Sequence, residues 1–392
     1  MNSFKKIIQK NRLYLLLLLI FLIFIGYITF RLSTLTGGMS AREISYINST
    51  KSFSPLSSFV IFGPYNLIQY VSTHLLAHSI FVYRMISVLV GLLFGVLFYK
   101  LIRKKYGLLT AVISTFLAVT SAWFLHLTRS STADVLFLAV ILLFIFKDYL
   151  HKSKDVNKIF LLAVTISCLF LYVPGLIWFS ILGILWQRKI LIALVGKIEI
   201  KSFLLIGLWA ILLITPIIIS SVLHPSILLN LIGVPNVIPS PLTVAKNFAL
   251  IPYNILLHMP KNSGIWLGAL PFLDLFSSAM FLIGVYKIIY DWKQEYSKIL
   301  TLTLFLGAII YSINGITYFT IMYPIIYLLI ASGIASVIKR WFFVFPRNPI
   351  PRIFGSSLLI MAVMIVFVYQ TRSYFVAWPN HSQTRILYRF HP

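Results

Sequence analysis

LYLLLLLIFLIFIGYITF, residues 13–30, is the stretch from which the fold is read. It holds no charge between Arg12 and Arg31, and a helix needs about 20 apolar residues, within a range of roughly 17–25, to cross a bilayer. Lys5, Lys6, Lys10 and Arg12 precede the run, and no small-residue cleavage site follows it before Arg31. The stretch therefore predicts an uncleaved first span rather than a removable signal peptide.

Similar runs recur at 82–99, 107–125, 133–146, 159–172, 174–187, 203–222, 271–286, 299–313, 318–337 and 353–369. Together they predict an all-α, polytopic integral membrane protein of about eleven transmembrane helices, a single transmembrane domain over residues 1–392. The segments around Pro174-Gly175 are short for two crossings and are also compatible with one kinked element. Composition agrees with a membrane chain: 60% hydrophobic residues and 10% charged, with a mean hydropathy of +0.96, far from the mix of a soluble domain. The formal charge of +25 comes from basic clusters between the runs, such as Arg103, Lys104 and Lys105. That is the positive-inside pattern rather than a nucleic-acid footprint. Both halves of the chain give one orientation only if the 159–187 hairpin crosses twice, which puts the N-terminus in the cytoplasm and the C-terminus outside. Cys168 is the single cysteine, so neither a disulfide framework nor a cysteine-based metal site is available.

On that topology three outer segments are long enough to hold structure. The first, 31–81, predicts short surface helices after Ser40 and after Pro64. The second, 223–270, is broken by Pro225, Pro235, Pro239, Pro241, Pro252 and Pro260 and reads as a loop with short helices. The third is the tail 370–392, whose Tyr374, Phe375, Trp378, Tyr388 and Arg389 suit a membrane interface.

The chain has only eight carboxylates. Asp148, Asp155, Glu199, Asp291 and Glu295 fall on the inner side among lysines. Glu43, Asp134 and Asp274 fall on the outer side at span ends, where a carboxylate near lipid is costly unless paired, wet or functional. Glu43 lies in GGMSAREISYINSTKSF, residues 37–53, with the Ser-x-x-Glu spacing of a capping box (Ser40 to Glu43). That spacing fits a purely structural role and equally fits a carboxylate held where it can accept a proton. Asp134 follows the polar turn Arg129-Ser130-Ser131-Thr132, in which Ser131 would cap the next helix and Asp134 would complement its positive end. Arg129 adds a natural partner for a phosphate diester. Asp274 reads as a helix-end charge. Lys246 and Lys261, in the second long loop, are candidates to hold an anionic headgroup or simply to snorkel. His74 and His78 are spaced to share a helix face, but without the Glu of a zinc-protease pattern, and packing is the simpler reading. Asn314-Gly315 reads as a tight turn and Pro324 as a kink.

In this order the residues resemble a known family, the polytopic C-type (GT-C) glycosyltransferases that take a sugar from a polyprenyl-phosphate carrier, in the branch of the protein-O-mannosyltransferases and lipid A aminoarabinose transferases. The resemblance rests on Glu43-Ile44-Ser45-Tyr46 after the first span, Tyr83-Arg84-Met85-Ile86-Ser87, Lys105-Tyr106-Gly107, the stretch from Thr120-Ser121-Ala122 to Asp134, and Met322-Tyr323-Pro324 to Ala331-Ser332-Gly333. It implies transfer of a mannose-like hexose, with inversion, to a protein, glycolipid or wall-polymer acceptor on the outer face of a plasma membrane, bacterial by composition. Glu43 and Asp134 would be catalytic, and Arg129, Arg84, Lys246 and Lys261 would bind the donor phosphate. It implies no cofactor beyond the lipid-linked donor and does not bear on a divalent ion. One departure stands out: the family usually has an Asp-Glu pair in the first outer loop, and here Arg42 precedes Glu43. Either Glu43 serves alone, or this chain has changed acceptor, or it is an inactive membrane scaffold. A transporter or flippase of a lipid-linked or anionic solute, the alternative from another class, predicts charged residues near the bilayer midplane and inverted repeats. The charges of this chain sit at span ends instead.

Overall fold

The computed structural model describes residues 19, 21–50, 59–76, 78–150 and 155–390. Nearly everything described is helical, and among these residues the sole β-pairing is an isolated bridge between Met39 and Phe390. Six helices are long and apolar enough to cross a membrane: Ile80–Tyr106, Leu176–Val195, Ile200–Leu223, Glu295–Asn314, Ile316–Val344 and Pro349–Asn380. A bent pair, Leu108–Thr120 with Ala122–Thr128, passes the same test as a unit, and Val156–Leu171 and Leu275–Tyr290 are shorter apolar helices. The chain is thus a polytopic, all-α membrane protein. The first expected span begins outside the described residues and emerges as a helix over 21–29.

Local chemistry sets the helix ends. Ser79 caps Ile80–Tyr106 by accepting from the Val82 amide at 3.3 Å, and the helix stops at Gly107, whose φ of +89° an L side chain rarely adopts. Val156–Leu171 and Leu176–Val195 pack together as a hairpin turned at Gly175, also at positive φ, so the residues around Pro174 separate two helices rather than kink one. Pro324 likewise is no mid-helix kink. It sits in the first turn of Tyr323–Val344, directly after a 3-10 turn over Ile316–Met322, where its missing N–H has no partner to lose. His74 and His78 do not share a helix face, because Gly63–Leu75 ends before His78. His74 bonds to the Tyr70 carbonyl and His78 to the Tyr83 hydroxyl.

Ile316–Val344 is the hub. Its most apolar window is 83% buried, against 11% for Ile200–Leu223, whose surface is left for lipid. Close approach to Leu275–Tyr290 depends on two glycines: a methyl at Gly284 would collide with the Leu329 carbonyl, and one at Gly333 with the Met280 carbonyl. Small residues let membrane helices meet backbone to backbone in this way.

The break at Ser121 is what aims the candidate site. Ser121 is extended, accepts from the Phe124 amide, and turns the chain by 62° between Leu108–Thr120 and Ala122–Thr128. Tyr323 secures the corner by donating to the Ala118 carbonyl at 2.6 Å while its hydroxyl lies 3.0 Å from Ser121 Oγ. The second arm of the bend carries His126 and delivers Arg129 at its C-terminal cap.

Candidate active site

The Ala41–Thr50 helix begins with the capping box read from the sequence. The Glu43 amide donates to Ser40 Oγ at 3.2 Å, and the Ser40 amide donates to Glu43 Oε2 at 2.9 Å. The carboxylate does more than cap. Its Oε1 also accepts from Arg84 Nε at 2.9 Å and from the Ser131 amide at 2.9 Å, and Oε2 accepts from Arg84 Nη2 at 3.1 Å. Glu43 is 0% exposed. Arg84, also buried, spends its remaining bonds on the Leu32 and Gly38 carbonyls. One carboxylate therefore ties together the first loop, the Ile80–Tyr106 helix and the turn that leads to Asp134. Such an arrangement, with the acceptor saturated and both charges matched, is the form in which a buried ion pair is tolerable.

One residue away the situation differs. Arg42 reaches Asp134 at 2.8 Å, and the Thr132 hydroxyl donates to Asp134 Oδ2 at 3.2 Å. The Arg42 side chain is 38% exposed, and both residues open on a cavity of about 460 Å³. The nearby Asp134 charge raises the Arg42 pKa further, so the guanidinium stays charged. The rest of the cavity wall is mixed: Trp123, Leu127, Ile265 and Leu387 give it a large apolar area, and Ser130, Asn262, Thr317 and Thr320 add polar groups. The expected cap by Ser131 does not form, since its amide goes to Glu43 and Thr132 takes the cap position; Asp134 does fall in the first turn of the 3-10 helix Ala133–Val140, with its carboxylate paired to Arg42.

Arg129 lies behind this cavity. It donates to the Ile28 and Phe30 carbonyls and, at 3.1 Å, to the Tyr374 hydroxyl, with its guanidinium over the Tyr374 and Phe375 rings. Arg84 and Arg129 share a small cavity of about 10 Å³, room for about one water. His126, Ser130 and Tyr388 line both this cavity and the larger one. Lys246 and Lys261 are exposed, and Asn262, next to Lys261, lines the larger cavity. Asp274 is a helix cap, accepting from the Ser277 amide at 2.9 Å and hydroxyl at 2.8 Å, and from Gln370 at 3.2 Å. Among the described residues no three His, Cys, Asp or Glu side chains gather as a metal site would require.

The roof of the site comes from the C-terminal segment. Met39 and Phe390 exchange backbone hydrogen bonds at 2.8 and 3.2 Å, and Tyr388 donates to the Gly264 carbonyl. Burial pushes the Tyr388 hydroxyl pKa up, which keeps it a donor. Trp378 donates to the Ser263 carbonyl. Tyr374, Trp378 and Tyr388 are buried in this roof rather than spread along a lipid interface. His126, between Tyr374 and Trp378 at ring distances of 4.7 and 4.3 Å, joins the roof to the site. The one hint of His126 in the sequence was a lone polar ring three residues before Arg129 in an apolar run.

No family model matches the chain, and no curated protein does. Its fold is similar to that of ArnT from Cupriavidus metallidurans, in the crystal structure of its apo state, with a TM-score of 0.56 over 94% of this chain and 76% of that chain. Sequence identity across the match is 13%, so the likeness is one of architecture.

Proposed function

We propose that the chain is a membrane glycosyltransferase that moves a mannose-like sugar from a polyprenyl-phosphate carrier to a hydroxyl acceptor on the outer face of a plasma membrane. The observation that carries this reading is the Arg42–Asp134 pair, a carboxylate and a guanidinium that share a cavity of mixed polar and apolar lining within a fold similar to that of ArnT. Three guanidiniums, of Arg42, Arg84 and Arg129, stand against two carboxylates, of Glu43 and Asp134. The surplus positive charge favours an anionic donor.

The donor phosphate enters the cavity and draws Arg42 away from Asp134. Lys261 adds charge from the adjoining loop and Lys246 from further along it, while Arg84 and Arg129, already bonded to the protein, contribute their field. Freed from Arg42, Asp134 accepts the proton of the acceptor hydroxyl. The hydroxyl oxygen bonds to the anomeric carbon as the bond from that carbon to the lipid phosphate oxygen breaks, and the electron pair leaves on the phosphate. Attack opposite the leaving group inverts the sugar. Glu43 is a positioning residue, acting through Arg84 and the Ser131 amide. The polyprenyl tail runs along the apolar surface of the spans.

A second reading, an inactive scaffold, is favoured by the same pair, since an arginine that never leaves Asp134 would quench it. Purified protein given a radiolabelled polyprenyl-phosphate sugar and membrane extract decides between them. Wild type should transfer label, and Asp134→Asn should lose about a hundredfold or more while still binding donor. Donor binding without transfer by wild type supports the scaffold, and no donor binding at all ends the enzyme reading.

A further inference from the structure

We infer a second anion site, shaped for the phosphate of a lipid headgroup, in the crevice between the end of the first helix and the C-terminal segment. The crevice encloses about 340 Å³ and is lined by Arg31, Thr36, Gly37, Phe375, Asn380 and Arg385 among others. That volume lies in the range of roughly 300–1,000 Å³ typical of small-ligand sites. It presents two guanidiniums and no carboxylate. Among the described residues Arg31 makes no side-chain hydrogen bond or ion pair, and Arg385 bonds only to the neutral Asn380 Oδ1, at 2.6 Å. The carboxylates of the neighbouring site are committed elsewhere, Glu43 to Arg84 and Asp134 to Arg42. Two like charges held over one crevice repel, and an anion between them removes the repulsion and meets their forked donors.

The backbone supports a dedicated role for Arg31. Its φ is +52°, in the left-handed region, which is costly for a residue other than glycine and persists where the surroundings hold it for packing or function. This conformation occurs at the residue whose side chain lines the crevice.

Depth in the bilayer selects the source of the phosphate. Arg31 lies two residues past the helix over 21–29, which packs on Pro349–Arg372 through the Tyr27–Thr371 hydrogen bond at 3.0 Å and the Tyr27–Phe367 ring contact. The first helix ends here, and the second continues through a π turn to Asn380, so that Phe375, Pro379 and Asn380 of its last turns line the crevice. This places the crevice at the end of both spans, where headgroups lie. Phe30 and Val376, 59% and 52% exposed, are apolar shoulders for acyl chains beside it. Leu35 and Thr36 separate the crevice from the Arg84–Arg129 cavity by lining both. A headgroup bridging Arg31 and Arg385 would pin the C-terminal segment to the first loop, beside the Met39–Phe390 bridge. The site stands apart from the Arg42–Asp134 cavity and does not depend on the reaction proposed there.

Full-length protein in neutral detergent tests it, with bound lipid counted by native mass spectrometry and folding followed by thermal unfolding. Short-chain phosphatidylglycerol should bind saturably and raise the unfolding midpoint, and phosphatidylcholine should do neither. Arg31→Gly, which removes the guanidinium and relieves the positive φ, and Arg385→Gln should each weaken binding about fivefold. Arg389→Gln, which removes an exposed charge from the same segment, should change it less than about twofold. Equal losses in all three variants would mean diffuse attraction and overturn the site. Unchanged affinity in a folded Arg31→Gly/Arg385→Gln double variant would also overturn it. Inorganic phosphate competing as well as the lipid would overturn the headgroup assignment.

Discussion

Arg42 and Glu43 are consecutive residues on one helix, and each meets a partner of opposite charge, yet the two pairs belong to different physical regimes. Glu43 and Arg84 are sealed from water, with side-chain exposures of 1% and 4%, and every bond they make is to protein. Arg42 is 38% exposed, and its pair with Asp134 faces a cavity. Successive helix residues point about 100° apart, enough to put one side chain into the packed interior and the next over the opening. The first pair organises the site, and the second is free to rearrange in it.

Breaking the sealed pair should have the largest effect. Glu43→Ala leaves Arg84 charged and buried without its partner, a loss expected to cost about 3–5 kcal/mol. Chemical or thermal unfolding in detergent would read it, and a variant as stable as wild type would remove Glu43 from its organising role. Asp134→Asn is the complementary change. Its stability should stay within about 1 kcal/mol of wild type, because the half-exposed Arg42 can turn to water, while transfer falls by about a hundredfold or more. If Asp134→Asn instead unfolds the protein, the distinction between the two pairs is lost.

Gly38→Ala tests the roof that covers both pairs. A methyl there would lie 2.6 Å from the Phe390 carbonyl and 2.8 Å from that of Tyr388, so the C-terminal segment must shift, at an expected cost of about 1–3 kcal/mol. Protease cleavage within 382–390 should speed up in step with that loss. The smallest effect is expected of Lys246→Ala. Its ammonium is exposed on Pro241–Ala249, and transfer should stay within about threefold of wild type, in line with a surface charge. A larger drop would extend the donor site beyond the cavity.

Much of the architecture was legible because a bilayer imposes simple rules. Long uncharged runs must be helical to satisfy their backbone, and the helices Ile80–Tyr106, Ile200–Leu223 and Pro349–Arg372 contain the runs read at 82–99, 203–222 and 353–369. The capping box at Ser40 and Glu43 was legible for the same kind of reason, since it is a local pattern with a local geometry. The partners of Glu43 were not. Arg84 is 41 residues away and Ser131 is 88 away, and no periodicity in the chain relates those positions. The tail shows the limit in reverse. Tyr374, Trp378 and Tyr388 have the composition of interfacial anchors, and packing against His126 and the 263–264 backbone buries them instead.

The sequence by itself determined that this chain lies in a membrane, is built from helices and keeps its scarce carboxylates at the ends of spans, because hydropathy and charge act residue by residue. Only the tertiary structure decided which of those carboxylates is sealed and which faces a cavity. Glu43 and Asp134 carry the same charge, and what separates them is whether the surrounding helices leave room for water beside the pair.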